Sequence, residues 1–170
     1  MCRIAIIVLA FIFICCKNNH QNDIKLLYKT VGEHNTIILE QLVGEFETYL
    51  QTKYPKNKII DVSYTQYLKA IASGTTTLEP FMSTKIHKQF IASELFYEKN
   101  RNSLVFKHDS LYMSALSIIA AQDPVVNEYY KVKQKAGLLQ NTVFSNGFLK
   151  TNPNFNNKIH RLIVVLEFSY

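Results

Sequence analysis

Apolar residues recur at helical spacing through most of the chain after residue 35. The first such set is Leu39, Val43, Phe46 and Leu50, which follow one another at steps of four, three and four, with glutamates on the other faces. This pattern is typical of an amphipathic helix. We expect the helix to begin near Asn35 and to end before Tyr54-Pro55, because the residue before a proline avoids helical torsion angles.

Four more segments repeat this spacing and begin or end at recognisable capping residues. The second helix is expected to begin at Asp61 or Ser63, the third at Pro80, the fourth at Asp109 or Ser110, and the fifth at Asp123-Pro124. Gly137 is expected to end the fifth helix in a left-handed conformation. The apolar positions are Tyr64, Tyr67, Leu68 and Ile71 in the second helix; Ile86, Phe90, Ile91 and Tyr97 in the third; Leu111, Ala115, Ile118 and Ile119 in the fourth; and Val125, Tyr129 and Val132 in the fifth.

The C-terminal part of the chain is less regular. Residues 138–150 are apolar without a clear period, which indicates a packed loop or a short helix. The last segment, 155–168, opens after Asn152-Pro153 and keeps helical spacing, although a short apolar run such as Leu162 to Leu166 fits a buried strand as well. The fold class predicted is therefore all-α: a single compact domain of five or six helices, the last segment being a helix or a strand.

The N-terminus has a different pattern, in which Arg3 is followed by an unbroken apolar run from Ile4 to Ile14 and then by Cys15 and Cys16. Eleven apolar residues are too few for a helix to span a bilayer, which takes about 20. The segment resembles the signal peptide of a bacterial lipoprotein. That resemblance implies cleavage before Cys16 and acylation of Cys16 by palmitate-type chains, with Cys15 as the alternative residue.

Two other interpretations of this segment are an ordinary cleaved signal peptide and an uncleaved signal anchor. The cysteine distribution favours the lipid, since all three cysteines lie within the first sixteen residues and leave none for the body. The predicted organisation is a signal peptide over 1–15, a lipidated cysteine and polar tether over 16–34, and an α-helical domain over 35–170. The implied location is a bacterial cell envelope, with the outer membrane preferred and with the periplasm and the outer surface as the two alternatives for the side on which the body lies.

The net charge of +6 is spread along the chain, and its densest cluster is the lysines of the fifth helix. Such a run usually forms a solvated helix face. We consider one possible contact surface there, for an envelope protein or an anionic polymer; it comprises Tyr130, Lys131, Lys133 and Lys135. The interleaved aromatic residues have the spacing of core residues, so nucleic-acid binding is not expected.

No catalytic or metal-binding motif stands out. The histidines are isolated, with none paired at three- or four-residue spacing, and no metal or other cofactor is predicted. His108-Asp109-Ser110 contains the residue types of a hydrolytic triad, but adjacent residues cannot converge on one another, and a helix start is expected there. Nucleotide-binding signatures are also absent, since the loop at Gly74 lacks the lysine of a phosphate loop.

The sequence therefore predicts a lipid-anchored, non-enzymatic envelope protein that acts by contacts with a protein or a polymer, as an accessory, inhibitor or immunity-like protein. The alternative is a small peptidoglycan hydrolase that uses paired glutamates, as glycoside hydrolases do. The candidate carboxylates for that role are Glu40, Glu45, Glu47, Glu79, Glu94, Glu98 and Glu128.

Overall fold

The structure of the protein, a computed structural model, describes residues 19–100 and 103–169. This part of the chain is mostly helical, as predicted, and contains eight helices rather than five or six, together with one short hairpin. The elements are α1 (Asn19–Val31), α2 (Glu33–Lys53), α3 (Ile60–Ala72), α4 (Thr84–Ala92), β1 (Tyr97–Asn100), β2 (Ser103–Phe106), α5 (Leu111–Ile119), α6 (Pro124–Ala136), α7 (Asn141–Lys150) and α8 (Lys158–Glu167).

Four helices begin at side chains that accept a hydrogen bond from a free backbone N–H of the first turn. The capping residues are Ser83 for α4, Ser110 for α5, Asp123 for α6 and Asn157 for α8. The predicted boundaries of α6 are confirmed, because Pro124 is its first residue and Gly137 follows it with φ +63°.

Other predicted starts are wrong by a few residues. Helix α3 follows Ile59, and Asp61 lies in its first turn, where its carboxylate accepts a hydrogen bond from the backbone N–H of Phe155 at 2.8 Å. Helix α4 begins at Thr84 rather than at Pro80. Ser83 caps α4, whereas α3 has no side-chain cap and Asp61 binds the N–H of Phe155 instead; local sequence does not distinguish these outcomes.

The predicted third helix extended to Tyr97, whereas α4 ends at Ala92 and Tyr97 starts β1. The two strands pair antiparallel, with Tyr97 opposite Phe106 and Asn100 opposite Ser103. Each strand has only four residues, too short for a recognisable period of two. Residues 138–150 contain a short helix, α7, one of the two structures predicted for them.

The polar tether expected over 16–34 is largely a helix of the folded body. Helix α1 buries Ile24, Leu27 and Val31 and packs against α2, α5 and α8. These three side chains share one face, since they lie three and four residues apart. Few apolar residues on a polar helix gave a weak signal, yet they suffice when the neighbouring helices cover that face.

The last segment is a helix, so the strand alternative for 155–168 is wrong. Every residue from Ile159 to Ser169 except Arg161 is buried, because α8 contacts α1, α2 and α6. A helix covered on all sides is apolar all round, which explains why its sequence also resembled a buried strand.

Aromatic rings fill the centre of the core. The ring of Phe46 lies 5.4 Å from Tyr64, 5.4 Å from Tyr67 and 4.8 Å from Phe81, centroid to centroid. Most of these pairs are tilted or edge to face, the arrangement that aromatic quadrupoles prefer. The core thus joins α2, α3 and the segment before α4. Among the described helices, none has the length and apolar character needed to cross a membrane.

Candidate functional site

Two adjacent cavities form a groove along α1, α2 and α8. The first has a volume of about 250 Å³ and the second about 410 Å³, and both are lined by Tyr28, Lys158 and Arg161. The first cavity is completed by Glu40 and Glu47, with Val43, Gly44 and Leu162. The second is completed by Gln21, Ile24, Lys25 and Asn156. We call these the acidic end and the basic end of the groove.

Arg161 stands at the junction of the two ends. Its Nη1 donates a hydrogen bond to Glu47 Oε1 at 2.7 Å, and the same oxygen lies 3.5 Å from the Tyr64 hydroxyl. Its Nε is buried and has no hydrogen-bond partner among the described residues. The ion pair connects α8 to α2, so Arg161 and Glu47 hold the floor of the groove in place.

The carboxylates of the acidic end come from one helix. Glu40 and Glu47 are seven residues apart in α2, which puts them on the same face with Cα atoms about 10 Å apart. They therefore line one wall of the cavity and do not oppose each other across it. Burial raises the pKa of Tyr28 to about 12; the charge of Glu40 adds to this effect and that of Arg161 opposes it.

Asp123 and His160 form a buried polar contact elsewhere in the body. Asp123 Oδ1 accepts hydrogen bonds from the N–H groups of Val125 and Val126, while Oδ2 lies 2.9 Å from His160 Nε2 and 3.1 Å from Asn157 Nδ2. Burial alone would raise the pKa of Asp123, but the hydrogen bonds from His160 and the backbone outweigh it and hold this pKa below its usual value.

The second ring nitrogen of His160 is also engaged. Its Nδ1 accepts a hydrogen bond from the backbone N–H of Asn154 at 3.0 Å, so Nε2 carries the proton that points to Asp123. With both nitrogens engaged and the ring buried, His160 offers no free base to a substrate. The contact fastens the start of α6 to the start of α8.

A second buried contact joins α6 to the end of α8. Lys133 Nζ donates to Glu167 Oε1 at 2.5 Å, and the Tyr129 hydroxyl donates to the same oxygen at 2.6 Å. The side chains of Lys133 and Glu167 are 1% and 2% exposed, and the Lys133 ammonium lies 4.7 Å from the centre of the Phe106 ring. Burial lowers the pKa of Lys133 against the opposing effect of Glu167, and burial raises that of Tyr129.

The predicted contact surface of the fifth helix is therefore divided. Lys133 is buried in the ion pair with Glu167, so its place on a contact surface was wrong. Lys131 and Lys135 are exposed, Tyr130 is half-buried, and Lys131 pairs with Glu128 at 3.1 Å. Helix residues that are two positions apart face different directions, so Lys133 can face inward while Lys131 and Lys135 face outward. Neither residue type nor charge indicates which of the three lysines faces inward.

The remaining sequence candidates take structural roles or lie outside the described residues. Ser110 caps α5, and the ring of His108 lies edge to face against Phe106 at 4.9 Å. No group of three or more His, Cys, Asp or Glu side chains among the described residues could hold a metal ion. Cys15 and Cys16, the predicted lipidation sites, precede the first described residue.

The groove was not predicted from the sequence. One signal was available: Arg161 is the lone charge inside the apolar run between Ile159 and Leu166. A lone charge in a buried segment requires a partner or a cavity, although the sequence does not reveal that its partner is Glu47, 114 residues away.

A second groove, between α6 and α7, is apolar. It has a volume of about 260 Å³ and is lined mainly by Val132, Leu139, Val143, Phe144 and Phe148. Val132 and Val143 are about half exposed there.

Comparison of the chain with protein-family models, with curated proteins and with solved structures finds no match.

Proposed function

We propose that this protein is a lipid-anchored, non-enzymatic protein of a bacterial cell envelope, and that it acts by contacts with another protein or with a polymer. The observation that carries the proposal is the N-terminal pattern: an apolar run from Ile4 to Ile14 that ends at Cys15 and Cys16, with no other cysteine after it. Several acyl chains on one cysteine would hold the body firmly at a membrane, whereas a single chain binds only marginally.

The polar groups of the body support a non-enzymatic role. The His160 ring has both nitrogens engaged, and Lys133 is enclosed with Glu167 and Tyr129. A general base or nucleophile must reach a substrate within hydrogen-bond distance. These groups instead bind one helix to another, so their chemistry stabilises the fold.

A peptidoglycan hydrolase is the second candidate, and one observation favours it. Glu40 and Glu47 line the same cavity, as the two carboxylates of a glycoside hydrolase must. Their position on one wall counts against it, because the acid and the base flank the scissile bond from opposite sides. Glu47 Oε1 is also occupied by Arg161.

Acylation tests the anchor. We expect the chain expressed in a bacterium to incorporate radiolabelled palmitate and to sediment with membranes, and Cys16→Ser to abolish both. The matched variant is Cys15→Ser, which should keep both. Loss of labelling in Cys15→Ser alone would move the lipid to that residue, and a chain that never takes up label would contradict the anchor.

Digestion of purified peptidoglycan separates the two candidates. The chain from Lys17 onward retains all of α1 and should release no fragments, and Glu40→Gln and Glu47→Gln should behave alike. Fragment release that both substitutions abolish would establish the hydrolase instead.

A further inference from the structure

The distance between the proposed lipid and the folded body is very short. Helix α1 begins at Asn19, three residue steps after Cys16. An extended chain spans at most about 3.6 Å per residue, so the chain that joins Cys16 to the start of α1 can span at most about 11 Å. A lipid on Cys16 would therefore hold the start of α1 at the level of the headgroups, in place of the longer tether expected from the sequence.

The basic end of the groove lies beside the start of α1. Its walls contain Gln21 and Lys25 from α1, Asn156 from the loop before α8, and Lys158 and Arg161 from the first turn of α8. No carboxylate of the described residues lines this cavity: Glu40 and Glu47 line only the neighbouring one, and Asp23 is buried. Lys25 and Lys158 are both exposed. Lys158 is also the first residue of α8, where the helix dipole adds positive potential.

Tether length and charge thus point to the same partner. We propose that Lys25 and Lys158 form a docking surface for the phosphate groups of anionic phospholipids, in the membrane that holds the lipid on Cys16. The inference rests on the proposed anchor and specifies how the body is oriented: the start of α1 and the start of α8 face the bilayer. A lysine near an anionic surface adds only a weak attraction, so the contact orients a body that the lipid already retains.

A chemical anchor tests the docking independently of acylation in the cell. The chain from residue 16 onward contains every residue that the structure describes and has Cys16 as its sole thiol. This thiol can be coupled to a maleimide-headgroup lipid in vesicles of phosphatidylcholine, with or without 30% phosphatidylglycerol. Amine acetylation followed by mass spectrometry then gives the reaction rate of each lysine.

Lys85 and Lys88 of α4 are the internal controls. Both are exposed. Helix α4 lies on the other side of α2 from α8, as two contacts of α2 show. Glu45 binds Ser83 just before α4, whereas Glu47, two positions further along α2, binds Arg161 of α8. Two residues along a helix face nearly opposite directions. The control lysines should therefore react at the same rate in both kinds of vesicle.

We expect Lys25 and Lys158 to react at least fivefold more slowly in vesicles that contain phosphatidylglycerol, and 0.5 M salt to remove the difference, because the Debye length falls to a few ångströms. Equal rates in the two kinds of vesicle, or the same slowing at Lys85 and Lys88, would overturn the docking surface. Because the anchor is chemical, either result would leave the acylation of Cys16 to be judged by palmitate labelling alone.

Paired substitutions provide a second measurement. Hydrogen exchange of residues 154–161 should be slower on phosphatidylglycerol vesicles for the unmodified chain and for Lys85→Gln/Lys88→Gln. It should not be slowed for Lys25→Gln/Lys158→Gln. Slowing that persists in Lys25→Gln/Lys158→Gln would show that tether length alone orients the body, and would overturn the role of these cations.

Discussion

Replacing one partner of the buried Lys133–Glu167 pair should destabilise the protein strongly. Lys133→Met keeps most of the side-chain volume but removes the ammonium, which leaves the Glu167 carboxylate 2% exposed with Tyr129 as a remaining donor. Glu167→Gln keeps the shape of the side chain but removes the charge that faces Lys133. Each substitution leaves one buried charge without its opposite.

The size of the effect follows from the burial. Breaking a buried ion pair by removing one partner costs about 3–5 kcal/mol, and Lys133→Met also loses the contact of its ammonium with the Phe106 ring, worth about 1 kcal/mol. Removing both charges leaves no uncompensated ion. The double variant Lys133→Met/Glu167→Gln should therefore be less destabilised than the sum of the single variants, with a coupling free energy of at least about 2 kcal/mol.

Urea unfolding of the chain from Lys17 onward, followed by circular dichroism, measures these free energies. For a slope of about 2 kcal/mol per molar urea, Glu167→Gln should lower the midpoint by about 1.5–2.5 M and Lys133→Met by about 2–3 M. Lys131→Met is the matched control on the same helix, because Lys131 pairs with Glu128 at the surface and should contribute under about 0.5 kcal/mol. Single variants within 1 kcal/mol of the original chain, or fully additive effects, would refute the argument.

Three further predictions concern other contacts. The pKa of Asp123 is lowered in the folded state, so the Asp123 carboxylate stabilises the fold above its unfolded pKa of about 3.9. This stabilisation is lost as pH falls through the folded value of the pKa. Asp123→Asn should therefore make the free energy of urea unfolding depend less on pH in the acid range. Gly137→Ala should destabilise the protein by about 1 kcal/mol, because the φ of Gly137 is +63°. Gly44→Ala lies inside α2 with no described atom within 4 Å of the new Cβ, and it should stabilise the protein by about 0.5–1 kcal/mol. A thermal unfolding midpoint that is higher for Gly137→Ala than for Gly44→Ala would contradict this. The raised pKa of Tyr28 predicts that this tyrosine ionises near pH 12, as measured by the difference in absorbance at 295 nm between the original chain and Tyr28→Phe. A midpoint near the usual value of about 10 would contradict the burial.

The accuracy of the sequence predictions depended on how local the deciding contact was. Asp123, Pro124 and Gly137 act on the backbone within one turn, so the limits of α6 were predictable. The groove was not, because it forms between helices whose residues are far apart in sequence, such as Glu47 and Arg161. The two glutamates of the acidic end were among the predicted carboxylates, but their shared cavity depends on how α8 packs on α2.

The sequence by itself determined that the chain is mostly helical and that Asp123 caps α6, since helical periodicity and this cap are properties of neighbouring residues. Only the tertiary structure decided which polar residues are buried. Lys133 resembles its neighbours Lys131 and Lys135, and it is enclosed because Glu167 faces it from α8. Residues 19–31 resembled a tether, and they form part of the core because α2, α5 and α8 cover Ile24, Leu27 and Val31. Burial depends on what other segments supply, and that information is not local.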